Sequence, residues 1–350
     1  SASEAAAAGG FTTICAMPDT QPVNDVRAVT EQIVTRNATA RGARVEPVGA
    51  ATIGLAGVNL SEMGDLKDAG CVAVATGGMS IANARLMRRV LEYARSVDLP
   101  VFTCPLDPSL ADGTAIHEGD VSVRLGIEAM PSEAESTALF RDGMLARLAG
   151  WKIHAQRIST AQSVEVLRQL KAAGIAVTAD CTPHHLWFDD SATTGFDTST
   201  RVSPPLRSAS DVEALRAAVA EGLIDAIATD HSPQSSIEKM VEYEWCQPGT
   251  VGLETALSLA LELVRTGVLT RMQALERLTI GPARVLGRSD IGALTEGARA
   301  DLCIVDADMP RRVQSALMRT RSRNSIFEGT SLLGHVETTI VGGRLVVGGE

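Results

Sequence analysis

Short apolar runs alternate with longer segments in which apolar residues recur every three or four positions, and this alternation organises the chain up to Pro233. The short runs at 11–16, 45–51, 71–75, 100–104, 151–155, 175–180 and 224–228 read as strands buried on both faces, as in a parallel sheet. The longer segments predict helices over 25–41 (apolar Val26, Val29, Ile33, Val34), 60–69, 82–97 (Leu86, Val90, Leu91, Ala94), 131–149, 161–173 and 210–221. Strict strand–helix alternation implies parallel strands joined by helical crossovers. Seven such units are one short of the eight that close a barrel. The chain starts without Met, in a helical stretch over 1–8 that runs into Gly9-Gly10 and reads as the middle of a domain. Residues upstream of Ser1, including a first strand, are therefore expected to be absent. The predicted fold class is α/β: a (β/α)8 TIM-type barrel over 1–287. An open doubly wound sheet is the alternative, but no GxGxxG follows any strand.

Beyond Val251 the pattern changes. Helices are predicted over 252–267 and 271–278, then short strands at 292–294, 300–306 and 338–347, the last turning at Gly342-Gly343. Residues 288–350 read as the C-terminal part of a small β module.

Composition narrows the partners. The chain has 350 residues, 45% hydrophobic but only 3% aromatic, so its core is built from small aliphatic side chains. A formal net charge of −10 with no basic helix face argues against nucleic acid or an anionic membrane as partner. No apolar run reaches the length of a membrane span, and no secretory signal opens the chain. The six Cys are scattered without a CxxC and read as reduced thiols of a cytoplasmic protein.

The candidate chemistry lies where strands end. The run 224–228 stops in Thr229-Asp230-His231, which either carries chemistry at a strand end or only caps the next segment. His184-His185 follows the strand at 175–180 and reads as a hydrogen-bonded structural pair rather than ligands, because no third ligand is in reach. His154 reads as core, or as bonded to backbone; His117 reads as loop structure.

Five strand-end motifs carry a resemblance. They are Ala8-Gly9-Gly10-Phe11-Thr12-Thr13-Ile14-Cys15-Ala16-Met17-Pro18, Thr182-Pro183-His184-His185-Leu186, Pro204-Pro205-Leu206-Arg207, Ala228-Thr229-Asp230-His231 and Val251-Gly252-Leu253-Glu254-Thr255. In this order they resemble the dihydroorotases of the amidohydrolase superfamily, with Ala300-Asp301-Leu302 and Val341-Gly342-Gly343 similar to the family's accessory β-sandwich. Hydantoinases and allantoinases share some of these motifs. The resemblance implies metal-assisted interconversion of carbamoyl aspartate and dihydroorotate in pyrimidine synthesis, with one or two Zn²⁺ ions and Asp230 as ligand and proton shuttle.

Set against that pattern, the chain departs at most positions. The His-x-His of the family's first strand is not in the chain. The metal-ligand positions read Thr76 and Gly77 (followed by Gly78), Cys104 and Arg157, so that only Asp230 remains, as a vestige of the catalytic set. The substrate positions carry Asp19, Ser203 and Gln234 in place of the family's residues. A guanidinium neither deprotonates nor ligates zinc. Arg157 is therefore expected to pair with Asp230, directly or through one water, with no metal and no cofactor bound.

Two readings follow. In the first, the chain is a metal-free, inactive dihydroorotase homologue. Such homologues assemble with aspartate transcarbamoylase, so the resemblance implies that enzyme as partner, in a homo- or hetero-oligomer. In the second, the chain is an active zinc amidohydrolase with a rebuilt site, Cys104 and Asp230 among its ligands.

Overall fold

A computed structural model of the chain describes residues 2–348. All seven predicted strands are present. β1 (Thr13–Ala16), β2 (Arg44–Ala50), β3 (Ala73–Ala75) and β4 (Val101–Thr103) are followed by two very short strands, β5 (Ile116–His117) and β6 (Ala129–Met130). Then come β7 (Ile153–Ala155), β8 (Val177–Cys181) and β9 (Ala226–Ile227). One parallel sheet takes the order β1-β2-β3-β4-β7-β8-β9, with registers such as Val74↔Val101 and Ile153↔Val177. The strands are short, and most of their residues are buried from both sides (Val48, Val74, Val101 and Ile153 among them), as the apolar runs require. This is a TIM-type barrel architecture with seven strands in sequence order.

The crossover helices start and stop where local chemistry dictates. Asn83 caps helix Ala84–Ser96 by accepting from the Arg85 and Leu86 amides, and Thr160 caps Ala161–Ala172 through the Ser163 amide. Gly150 and Gly222 close their helices in the left-handed region. Helix Ala84–Ser96 buries Val90, Leu91 and Ala94 as predicted. Helix Arg27–Ala38 is shorter than 25–41 and buries only Val29 and Thr30, leaving Val26 and Val34 exposed. The helix expected from Pro131 begins at Glu133. Helix Ala2–Ala8 forms; Ser3 lies inside it and donates to the Ala43 carbonyl, and Ser1 lies outside the described residues.

Three further expectations are corrected. The His117 segment is not plain loop: β5 and β6 pair in parallel in a sheet of their own. Residues 292–294 form no strand; the chain bends there and Leu294 is exposed. The C-terminal strands are longer than predicted: β10 (Leu302–Arg312) and β11 (Ser331–Val341) pair antiparallel, and β12 (Arg344–Val347) returns across Gly342-Gly343. The last two residues of that module are outside the described range. All six Cys are free; four are buried, Cys15 is half-buried and Cys303 is exposed. Among the described residues no helix is long and apolar enough to cross a membrane.

One buried ion pair braces the strand-end loops. Glu135 is fully buried and accepts from the Ser159 and Thr160 amides, at 2.9 and 3.2 Å, and from the Ser159 hydroxyl. Arg207, 1% exposed, lies 3.6 Å from Glu135 and donates to Ser159 Oγ, the Met130 carbonyl and His117 Nδ1. A carboxylate this deep is tolerable only with a counter-charge. Replacing Arg207 with Leu is expected to destabilise the fold by about 3 kcal/mol, since breaking a buried pair from one side leaves the other charge uncompensated. A denaturant melt that moved by less than about 1 kcal/mol would show that the amides and hydroxyls alone hold Glu135.

Candidate functional site

Six segments deliver side chains to the C-terminal ends of the strands. Thr76 follows β3, Cys104 follows β4, Arg157 lies just past β7, Asp180 is in β8, His184 lies in the short helix Pro183–Trp187 after β8, and Asp230 follows β9. The backbone of Arg157 is pinned between two strands. The Gln156 amide donates to the Thr103 carbonyl of β4, and the Ile158 amide to the Asp180 carbonyl of β8. The Arg157 amide donates instead to Asp180 Oδ1 at 2.7 Å. That arrangement puts Arg157 at φ +57° and Asp230 lies at φ +43°, a region that costs a non-glycine residue about 1 kcal/mol or more.

From this bulge the guanidinium reaches the centre of the mouth. Arg157 Nη2 lies 3.0 Å from Cys104 Sγ; Nη1 donates to the Ser203 carbonyl at 2.9 Å and lies 3.5 Å from Asp230 Oδ1. Both side chains of the pair are 18% exposed. The expected direct pairing is present, with a thiol and a backbone carbonyl as further partners. Burial raises the Asp230 carboxyl above the usual range; Arg157 pulls it down, while Asp180 and Asp19 push it up. Burial likewise raises the Cys104 thiol against the opposing pull of Arg157, so it is neutral near pH 7.

The surroundings explain the rest of the motifs. Asp180 Oδ2 lies 2.9 Å from His154 Nε2, whose other nitrogen lies 2.9 Å from Thr178 Oγ1. His154 is therefore buried, as expected of a core residue, and bonds side chains rather than backbone. His185 is satisfied by Thr182 Oγ1 and the Pro204 and Pro205 carbonyls, and burial lowers its pKa to about 3. His184 differs: its Nε2 is buried without a hydrogen-bond partner, 4.0 Å from Asp230 Oδ2. Burial holds it neutral, far below the usual histidine range. The pair is thus structural on one side only. His231 turns away from the centre to accept from the Gly252 amide, and burial lowers it to about 4. Gly252 approaches so closely that a Cβ there would stand 2.4 Å from the Thr229 carbonyl oxygen, which only glycine permits.

The sequence-derived positions divide into two groups. Arg157, Asp230, Cys104, Thr76 (accepting from the Cys104 amide at 3.3 Å) and the Ser203 carbonyl converge. Gly77, at φ +96°, supplies a turn and no functional group. Asp19 is exposed and acts on Asp230 only through its field. Gln234 is elsewhere, bonded to Ser232, the Pro248 carbonyl and Asn324. Sequence reasoning missed Asp180, whose signal was an acidic residue inside an otherwise apolar strand.

A zinc ion does not fit these residues. The guanidinium occupies the space between Cys104 and Asp230, and among the described residues no three His, Cys, Asp or Glu side chains are grouped to hold a metal. What the arrangement can do is hold one carboxylate against a fixed cation in a nearly closed setting.

The whole chain matches known proteins. Residues 1–346 fit the model of the "Amidohydrolase family". The dihydroorotase of Anaeromyxobacter dehalogenans strain 2CP-1 is 47% identical over 344 residues, covering 98% of this chain and 79% of that protein. The dihydroorotase of Pelotomaculum thermopropionicum is 47% identical over 345 residues, covering 98% and 80%. Among solved structures, the L-hydantoinase (dihydropyrimidinase) of Arthrobacter aurescens superposes with a TM-score of 0.86 at 24% identity, over 99% of this chain and 80% of that one, a likeness of fold.

Replacing Arg157 with Ala is expected to cost about 2–3 kcal/mol at pH 7, because Asp230 is left mostly buried and unpaired. Asp230 sits above the usual carboxyl range, so it binds a proton more readily folded than unfolded, and acid relieves the loss. The stability gap between wild type and Arg157→Ala should narrow as pH falls toward 4 and widen above it. Substituting both residues with apolar side chains of similar volume should recover much of the loss. Urea melts across pH 4–8 measure all three; a gap independent of pH would mean that lost packing, not charge, sets the cost.

Proposed function

The chain belongs to the amidohydrolase family and to its dihydroorotases, and from that premise we propose that it is a metal-free, catalytically inactive member serving as a structural partner of aspartate transcarbamoylase in pyrimidine biosynthesis. The observation that carries this reading is the Arg157 guanidinium seated on Cys104 Sγ and Asp230. Dihydroorotase chemistry asks for a Lewis acid on the amide carbonyl and a hydroxide made at neutral pH, together worth several kcal/mol of the barrier. Arg157 supplies charge but neither an open coordination position nor a bound water of lowered pKa. Asp230, tied to that cation, is not free to shuttle a proton. On this reading Thr76, Gly77, Cys104 and Arg157 stand at former metal-ligand positions, and Asp19, Ser203 and Gln234 at former substrate positions. Asp19 places a negative charge where a dicarboxylate would have to bind.

A second reading, an active zinc enzyme with a rebuilt site, draws on one observation. His184 Nε2 is buried, without a hydrogen-bond partner, and 4.0 Å from Asp230. Together with Cys104 it would have to displace Arg157 to ligate a metal.

The purified chain is expected to contain less than about 0.1 zinc per protomer, to give no turnover of dihydroorotate above a no-protein control, and to co-elute with co-expressed aspartate transcarbamoylase of the same genome. Elemental analysis, the assay and size-exclusion chromatography read these separately. Stoichiometric zinc with metal-dependent turnover would establish the second reading, and separate elution would remove the partner.

A further inference from the structure

Two surfaces outside the strand-end centre carry exposed apolar residues with charges of opposite sign. The first is the compact loop after β9, closed by bonds from the Met240 amide to Ser236 and from the Gln247 amide to Glu238. Tyr243 anchors it in a small core with Ala115, Ile116 and Ile127. Around that anchor Ile237, Met240 and Trp245 are 80%, 81% and 79% exposed. Large apolar side chains grouped so openly on one short loop mark an interaction surface, and Trp is the residue most often found at the centre of one. The flanking charges are Glu238, Glu242 and Glu244, all exposed. Glu242 and Glu244 form no salt bridge among the described residues.

The second surface is the outer face of two neighbouring crossover helices, Ala84–Ser96 and Glu133–Ala149. Arg141 Nη1 donates to the Ala82 carbonyl at one end, and Arg95 Nη1 to the Ala149 carbonyl at the other, so the helices lie side by side in parallel. Phe140 and Leu148 are exposed on it. Its exposed charges are Arg85, Arg88, Arg89, Arg95 and Arg147 against Glu92 and Glu133, so the chain does carry a basic helix face, contrary to the expectation from its sequence. Arg85, Arg89 and Arg147 form no salt bridge among the described residues.

We propose that the protein self-associates head to tail, the glutamate-flanked apolar loop after β9 of one copy seating on the arginine-rich helix face of the next. Complementary charge selects this occupant. Two-fold pairing of the loop with itself would set Glu238, Glu242 and Glu244 against their own copies, and like charges across an interface are costly. The helix face paired with itself would oppose its arginines. Pairing loop to helix face brings each uncompensated set against the other, with Trp245 and Met240 available to Phe140 and Leu148. Because the two surfaces are different, the contact is heterologous and builds a ring if it closes and a chain if it does not.

This inference is independent of the reading of the centre, and the test keeps them apart. Sedimentation of the full chain at low salt should show association that strengthens with concentration and weakens in 0.5 M NaCl. Trp245→Ser with Met240→Ser should weaken it at least about tenfold, with an unchanged melt confirming the fold. Glu242→Arg with Glu244→Arg, and separately Arg85→Glu with Arg89→Glu, should each weaken it similarly. Mixing those two charge-reversed proteins should restore association, since every loop then finds a helix face of opposite sign. A chain monomeric at every concentration overturns the proposal, as does association that the reversals leave unchanged or that mixing does not restore. A monomer whose loop variants lose a complex with aspartate transcarbamoylase would assign the loop to that partner, overturning self-association while leaving the functional reading in place.

Discussion

A carboxylate enclosed where strands converge has to be neutralised, and the contact between Arg157 and Asp230 meets that requirement. Much of the mouth can be understood as support for it. The Arg157 guanidinium arrives there only because its backbone is turned into the left-handed region, and that turn is held by Asp180. Asp180 is oriented in turn by His154, and His154 by Thr178. Each link is short and at least partly buried, so a chain of polar groups stretches across β7 and β8 behind a single cation. Cys104 completes the cradle: burial keeps its thiol neutral, and the sulfur contacts Nη2 without adding a second charge.

The same solution recurs a layer away. Glu135 and Arg207 form a second buried pair, and Glu135 also receives the amides of Ser159 and Thr160, which follow Arg157 and Ile158 in the chain. The loop after β7 is therefore clamped at both ends: by Asp180 on Arg157, and by Glu135 on its continuation. The Pro204-Pro205-Leu206-Arg207 motif contributes twice, through Arg207 and through the carbonyls that satisfy His185. The Val251-Gly252-Leu253-Glu254-Thr255 motif packs on the loop after β9, where Gly252 meets Thr229 and His231. In this chain these family motifs are accounted for by folding.

The sequence made strands such as β3 and β4 legible because they are short apolar runs that end abruptly in polar residues. The convergence of Arg157, Cys104 and Asp230 was legible once those ends were aligned. What escaped was whatever depends on tertiary partners. β5 and β6 contribute two residues each, too few for any periodicity, and exist because Arg207 and Tyr243 pack around them. His154 and Asp180 each look like an interruption of an apolar strand until β7 and β8 are paired. The exposed Val26 and Val34 show the reverse error, a helical stripe that finds too little to cover it.

The Arg157 cation is covalently part of the chain, and that alters the thermodynamics of the centre. A bound ion stabilises a fold by an amount that grows with the logarithm of its free concentration, roughly 1.4 kcal/mol per decade. A centre built on such an ion weakens under chelation or scarcity and becomes a sensor of supply. A guanidinium tethered at the end of its own side chain has no dissociated state to populate and no proton to lose at ordinary pH. The folded population of this protein is in that respect decoupled from its chemical surroundings. The counter-charge to Asp230 is written into the sequence, and it is in place as soon as the loop after β7 has folded.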